Sequence, residues 1–323
     1  MKHTWLAFLA LQFLSGLMPA AAQVPGRVYR VGILAITSTS IDNIRQYTLP
    51  AMAKEGFVEG RNLVLEVRHA DGAVARLPAL ARELSEARLD LVIAVANPGI
   101  AATRGAMPRT PLVMSYADDP VAQGFAASLA RPGGMLTGIA MQAWESQQKR
   151  LEVMRQLLPA ARRFGMLIPA QFSDEQRSRM RTAASALGVE LVFAIASREG
   201  DYEAAFEVLR ESRVDAAFHA SYPVYATDAP QLARRAMAQR LPLMCEWREA
   251  VVATCLIAFG ATNSELRTRT GSFVVRILRG DAPGDLPIEQ PTKFELAINV
   301  DTARALGLTI PQALLLRADE VIQ

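Results

Sequence analysis

Reactive side chains are scarce in this sequence. Its 323 residues include two cysteines and three histidines, the types most used as nucleophiles and metal ligands. His3 lies in a segment expected to be removed on export, which leaves His69 and His219 with no metal-type spacing between them. A structural role suits both. No G-x-S-x-G elbow, P-loop or G-x-G-x-x-G fingerprint occurs, and Pro132-Gly133-Gly134 reads as a turn. The residues therefore supply no nucleophile–base pair, and the expectation is a protein without catalytic residues, metal or cofactor.

An excess of one charge is also missing. Lys and Arg total 35 against 32 Asp and Glu, and they are scattered, so no stripe suited to nucleic acid forms. Beyond the N-terminal segment, no apolar run reaches the roughly 20 residues that span a bilayer. What is abundant is hydrophobic side chains, 51% against 21% charged, which excludes a disordered chain. Cys245 and Cys255 lie ten residues apart. An oxidising compartment permits a bridge between them, and two free, buried cysteines acting as small apolar residues fit equally well.

Residues 1–22 have the layout of a secretory signal. Lys2 gives the positive start, Trp5 to Met18 is apolar apart from Gln12, Ser15 and Gly16, and Ala20-Ala21-Ala22 supplies a cleavage site. A lipoprotein would need a Cys directly after the apolar run, and the first is Cys245. The expectation is a soluble protein, free in a periplasm. About 300 residues then remain, enough for two domains with buried cores.

Short β-rich runs alternate with helical patterns, the signature of parallel sheets built from βαβ units. Expected strands fall at Val28 to Leu34, Leu63 to Val67, Leu89 to Val95, Leu112 to Ser115 and Leu136 to Ile139. The second half repeats the first. Arg30-Val31-Gly32 corresponds to Arg163-Phe164-Gly165, Arg88-Leu89-Asp90 to Arg213-Val214-Asp215, Pro98 to Pro223, and Pro111-Leu112 to Pro242-Leu243. Four matches in one order predict two lobes of similar topology. The expected boundaries are 27–143 with part of 290–323 for the N-terminal lobe, and 144–289 for the C-terminal lobe. A first crossover is expected near Met141 to Gln147, and a tail strand returning to an earlier lobe adds another to the hinge.

Ligands of open parallel sheets bind beyond the carboxyl ends of the strands, so the residues there are the candidates. Thr37, Ser38, Thr39 and Ser40 follow the first strand and offer hydroxyls and helix-start N–H groups to an anion, with capping by Ser40 as the plain alternative. Asn97 follows the third strand, and Tyr116 and Asp118 follow the fourth, where Asp118 or Asp119 suits an ammonium or a turn. The second half contributes Phe172, Ser221, Tyr222, Glu246, Trp247 and Arg248. Aromatics are only 7% of the chain, so their gathering at strand ends suits a small-molecule cleft. Trp247 is expected to cover the ligand and Arg248 to pair with a carboxylate, unless Arg248 pairs with Glu246 or Glu249 at the rim.

Asp118-Asp119-Pro120-Val121, Leu129-Ala130-Arg131-Pro132-Gly133-Gly134 and Pro291-Thr292-Lys293-Phe294-Glu295-Leu296 resemble segments of bacterial ABC transporter substrate-binding proteins of the tryptophan- and tyrosine-binding type. Lys149-Arg150-Leu151-Glu152, residues 303–311 and the final Arg317-Ala318-Asp319-Glu320-Val321-Ile322 extend the likeness. The resemblance implies the type I periplasmic-binding-protein fold, two Rossmann-like α/β lobes joined by a multi-stranded hinge. It implies a monomer that hands a small solute to an inner-membrane ABC permease with its ATPase. The chain departs from the aromatic-amino-acid binders at Glu246-Trp247-Arg248-Glu249-Ala250 and at Ile168-Pro169, so the resemblance does not extend to the ligand. The expected function is capture of a small carboxylated or aromatic solute; a sensory binding protein, or a hydrolase or lyase, are other uses of the same fold. Protein recovered from the periplasm should begin at Gln23, and a mass that retains Met1 would refute the reading of residues 1–22 as a cleaved signal.

Overall fold

The computed structural model describes residues 26–323 apart from Ala253. The expected signal, residues 1–22, lies outside the described residues. Among the described residues twelve strands follow in order: β1 (Tyr29–Ala35), β2 (Leu63–His69), β3 (Leu91–Val95), β4 (Leu112–Asp118), β5 (Leu136–Met141), β6 (Arg163–Ile168), β7 (Glu190–Ile195), β8 (Ala216–His219), β9 (Leu243–Cys245), β10 (Ile257–Ala261), β11 (Phe294–Asn299) and β12 (Glu320–Ile322). They make two sheets, ordered β2-β1-β3-β4-β5 and β12-β11-β10-β9-β8-β6-β7. All pairings are parallel except β10 with β11. The order β2-β1-β3-β4-β5 is matched by β7-β6-β8-β9-β10, so the two α/β lobes share one topology.

The sequence repeats are structural equivalences down to single atoms. The Asp90 carboxylate accepts the Arg30 N–H at 2.7 Å while the Asp90 N–H donates to the Arg30 carbonyl at 2.8 Å. Asp215 makes the same clasp on Arg163, at 2.9 Å and 2.8 Å. Arg88 and Arg213, two residues before these aspartates, both turn the chain through positive φ, at 40° and 50°. Gly32 and Gly165 are needed for close approach. A Cβ at either would stand 2.6 Å from Leu89 or 2.5 Å from Leu209.

The core follows from the same periodicities. β3 is buried along its whole length because helices cover both faces of a parallel sheet. Helix Leu77–Ser85 buries Leu77, Leu80, Ala81 and Leu84, the spacing of one helical face. Among the described residues no helix is long and apolar enough to cross a membrane. Cys245 and Cys255, both fully buried, form a disulfide. Closing a loop of that size contributes roughly 3 kcal/mol in the chain-entropy account.

The chain passes between lobes at three places. It leaves β5 for helix Ala143–Leu157, which packs on β10 and begins within the segment Met141 to Gln147 where the first crossover is expected. It leaves β10 for helix Asn263–Leu278, which packs across β3, β4 and β5 of the first sheet. Glu289 then bridges to β5, with its N–H on the Gly138 carbonyl at 3.0 Å, before β11 enters the second sheet. This corrects the expected boundaries. Residues 263–289 serve the first lobe, and the tail strands β11 and β12 belong to the second. The tail follows its pairing partner: β11 lies antiparallel on β10, and Asp319 clasps Leu296 as Asp90 clasps Arg30, both bonds at 2.8 Å. Helix Asn263–Leu278 meanwhile buries Leu266, Phe273, Val274 and Ile277, which need the open face of the first sheet.

Strand β4 departs from regular register against β5 between Met114 and Ala117. Gly138 permits this. Its φ is +134°, and a Cβ there would lie 2.2 Å from the Met114 carbonyl oxygen. Gly138→Ala should therefore destabilise the protein by roughly 2 to 4 kcal/mol, read as a lower urea midpoint at unchanged slope. An unshifted midpoint would show that the β4–β5 contact does not depend on the glycine.

Candidate functional site

The carboxyl ends of both sheets open into one cleft, as the topology requires. A first chamber of about 260 Å³ is walled by Thr39, Ser40, Asn43, Asn263 and Arg267 on the first lobe, and by Pro223, Trp247 and Ala250 on the second. A second chamber of about 550 Å³ adds Asn97, Asp118, Gln147, Gln171, Phe172, Ser221 and Tyr222. It adjoins a further cavity that shares Asp118, Gln147 and Phe172 and adds Trp144, Glu145 and Arg179. Tyr116 and Pro223 wall both chambers.

Tyr116 sits where β4 breaks register, with φ at +65°. The irregularity turns its side chain across the cleft. Its hydroxyl donates to Glu246 Oε2 at 2.6 Å, and Ser221 donates to Glu246 Oε1 at 2.7 Å. Arg150 completes the set, donating to Ser221 at 2.7 Å and to the His219 carbonyl at 3.2 Å while standing 3.9 Å from Glu246. Arg150 and Glu246 are buried together, so the carboxylate has its counter-ion inside the protein. Burial, then the Glu246 charge, holds the Tyr116 hydroxyl well above its usual range, and it remains a donor.

Arg267 is arranged differently. It is 6% exposed, and it donates to Ser115 at 2.7 Å and Asn263 at 3.3 Å. No carboxylate among the described residues pairs with it. Burial lowers its pKa to about 10, so it is still a cation at neutral pH. Its guanidinium carbon lies 6.0 Å from the Tyr116 ring centroid. Thr37 takes the N-cap position of helix Ser38–Asn43 without a side-chain cap bond, its hydroxyl instead 3.2 Å from that of Ser40, which lines the same chamber as Arg267. The first chamber therefore concentrates a cation, amides and hydroxyls.

Most expected residues meet in the cleft. Thr39 and Ser40 line the first chamber; Thr37 is buried behind them and Ser38 faces solvent. The Asn97 amide is committed at both ends to the Asp118 backbone, each bond 2.8 Å, so it positions Asp118. Asp119 accepts the Ala122 N–H at 3.1 Å in a turn, which leaves Asp118 to face the chamber. Burial first, then the charges of Asp119, Glu145 and Glu246, raise the Asp118 pKa to about 6. Phe172 packs on Phe193 and Tyr222 meets Tyr225 edge-on, and both present their remaining surface to the second chamber. Trp247 lies 5.8 Å from Tyr116.

Arg248 is the exception. It is half exposed and pairs with Glu320 on β12 at 3.2 Å. The chain turns at residues 246–248 after β9, and that turn buries both Glu246 and Trp247 and leaves Arg248 outward. The arginine that lines the first chamber is Arg267. Asn263 and Arg267 stand four apart on a helix that starts where β10 ends, so they share a face toward the cleft. That spacing was the available signal. His219 is neutral, its pKa lowered to about 3 by burial and by Arg150, with Nδ1 2.9 Å from the Ala220 carbonyl. His69 pairs with Asp71 at 2.8 Å. Among the described residues no group of three or more His, Cys, Asp or Glu could hold a metal ion.

Asp118 makes a pH test possible. Its folded pKa of about 6 lies above the ordinary 3.8, so the fold favours the protonated form. That stability is complete below pH 3.8 and is lost as pH rises through about 6. Asp118→Asn should therefore stabilise the protein at pH 7 to 8 by roughly 1 to 3 kcal/mol, with the gain vanishing near pH 4. Equal gains at both pH values in thermal melts would contradict it.

Comparison with known proteins agrees with this architecture. A relative named Tyrosine-binding protein, from Clostridioides difficile (strain R20291), is 23% identical over 271 residues, 83% of this chain and 78% of the relative. The crystal structure of a conserved domain protein from Vibrio cholerae superposes with a TM-score of 0.85 at 24% identity, covering 91% of this chain and 100% of the other. The structure of an ABC domain in complex with L-Trp, from Streptococcus pneumoniae, gives 0.83 at 23% identity, again over 91% and 100% of the two chains. These likenesses show the type I periplasmic-binding-protein fold. Residues 30–322 match the model of the family described as ABC transporter substrate binding protein, and the chain belongs to that family.

Proposed function

We propose that this protein is the solute-binding component of an ABC importer, and that it holds a small carboxylate in the interlobe cleft with Arg267 as counter-ion. One observation carries the reading: Arg267 is buried at the cleft, and no carboxylate among the described residues pairs with it. A desolvated charge is costly until an ion of opposite sign enters. A carboxylate can take two parallel N–H bonds from a guanidinium, with Asn43, Asn263, Thr39 and Ser40 beside it. The Trp247 and Tyr116 rings offer a flat wall to an apolar or aromatic body. The ligands named for two relatives, tyrosine and L-Trp, carry both groups, which supports a solute of this kind. Three chain crossings form the hinge on which the lobes close. An inner-membrane permease with its ATPase then receives the solute.

The test is a thermal-shift panel of amino acids, aromatic acids and short organic acids on the exported protein. A true ligand at a hundredfold excess over its Kd stabilises by about 3 kcal/mol. With that ligand, Arg267→Ala should weaken binding by roughly 10- to 150-fold, the loss of charged hydrogen bonds. Trp247→Ala should cost roughly 1 to 3 kcal/mol, and Arg248→Ala should change nothing. Unaltered affinity in a folded Arg267→Ala variant would refute the reading.

A further inference from the structure

We propose that the second chamber is a subsite for a protonated amine, so that the solute is a zwitterion with carboxylate and ammonium held on opposite sides of Tyr116. This rests on the assignment of Arg267 as the carboxylate site.

Two independent observations point to an N–H donor. The Asp118 carboxylate lines the second chamber and forms no ion pair or side-chain hydrogen bond among the described residues. Gln147 is 5% exposed and lines the same chamber. Its Nε2 donates to the Ala143 carbonyl at 2.9 Å. A carbonyl only accepts, so the amide orientation is fixed, and Oε1 is left as a buried acceptor without a partner. Each of these groups needs a donor, and an ammonium satisfies both at once.

The surrounding charge has the sign for it. Asp119 and Glu145 stand around Asp118 with the cation Arg179, which lies over the Trp144 ring at 4.1 Å, while the charge of Glu246 is offset by its own counter-ion Arg150. Phe172 and Tyr222 give the chamber apolar walls, and an ammonium's methylene stem can lie along them.

The separation of the two sites selects among zwitterions. Asp118 lines the second chamber and not the first, Arg267 lines the first and not the second, and Tyr116 stands in the wall of both. The Arg267 guanidinium carbon is 6.0 Å from the Tyr116 ring centroid and serves the other chamber. An α-amino acid carries its ammonium and carboxylate on one carbon and cannot reach both. A molecule with several methylenes or a ring between its charges can.

The probes are 5-aminopentanoate, its isomer 2-aminopentanoate and the amine-free pentanoate, titrated calorimetrically into protein purified from periplasm, with 4-aminobutanoate and 6-aminohexanoate to vary the span. At least one ω-amino acid should bind ten times more tightly than the monocarboxylate of equal chain length, and more tightly than 2-aminopentanoate. Asp118→Asn should erase that preference while monocarboxylate binding persists, which also reports that the variant is folded. Gln147→Met should reduce the preference several-fold. Arg267→Ala should weaken all the probes together. Monocarboxylates binding as well as ω-amino acids, or a preference that survives Asp118→Asn, would overturn the amine subsite and leave the Arg267 site standing. Tighter binding of 2-aminopentanoate would overturn the separation of charges. If none of the probes binds, the proposed class of zwitterion is wrong; the panel of aromatic and organic acids decides the Arg267 site independently.

Discussion

Glu246 lies buried between the lobes, and the rest of the cleft is organised around satisfying it. An isolated carboxylate at that depth would be neutralised by protonation, at the cost of its use as an acceptor. Arg150 supplies the counter-charge from the first crossover helix, Ser221 from the end of β8 bridges the two, and Tyr116 reaches over from the other lobe. Removing one member of such a buried pair typically costs about 3 to 5 kcal/mol, because the other is left unpaired. The network therefore couples three separate chain segments to one lobe arrangement. It also gives Glu246 a counter-ion within the network, Arg150, and leaves Arg267 outside that ion pair.

The loop that carries Glu246 and Trp247 is fixed at both ends. The Cys245–Cys255 disulfide closes it. Gly260 stands so close beneath it that a Cβ would meet the Glu246 carbonyl oxygen at 2.2 Å. A wall held in this way has little conformational freedom left to lose when a solute arrives, the condition for tight binding by a small contact area.

The lobes were legible in the sequence because their signals are local and doubled. Arg-x-Asp at a positive-φ turn, a glycine under a leucine and a proline before a strand each recur at equivalent places, and one copy checks the other. The strand ends followed from the topology, and with them Tyr116, Asp118, Ser221, Tyr222, Glu246 and Trp247. What could not be read was pairing across the repeat. Arg248 and Arg267 are both arginines near strand ends, and only the turn at residues 246–248 and the helix phase after Asn263 separate the outward one from the inward one. The exchange of the tail and helix Asn263–Leu278 between lobes was hidden for the same reason. An apolar helical face records that it is buried, without recording which sheet covers it.

That exchange has a consequence for how the protein is made. The first sheet ends with β5 at Met141, but the helix that covers β3, β4 and β5 begins only at Asn263. A chain delivered N-terminus first, through a ribosome or an export pore, presents the earlier lobe with one face bare throughout the synthesis of the other. Residues 143–261 form an uninterrupted βα series that lacks only edge strands β11 and β12, and they can condense as they emerge. The half made first is thus the half finished last, and its exposed β-face is the surface that a holding chaperone must shield in the interval.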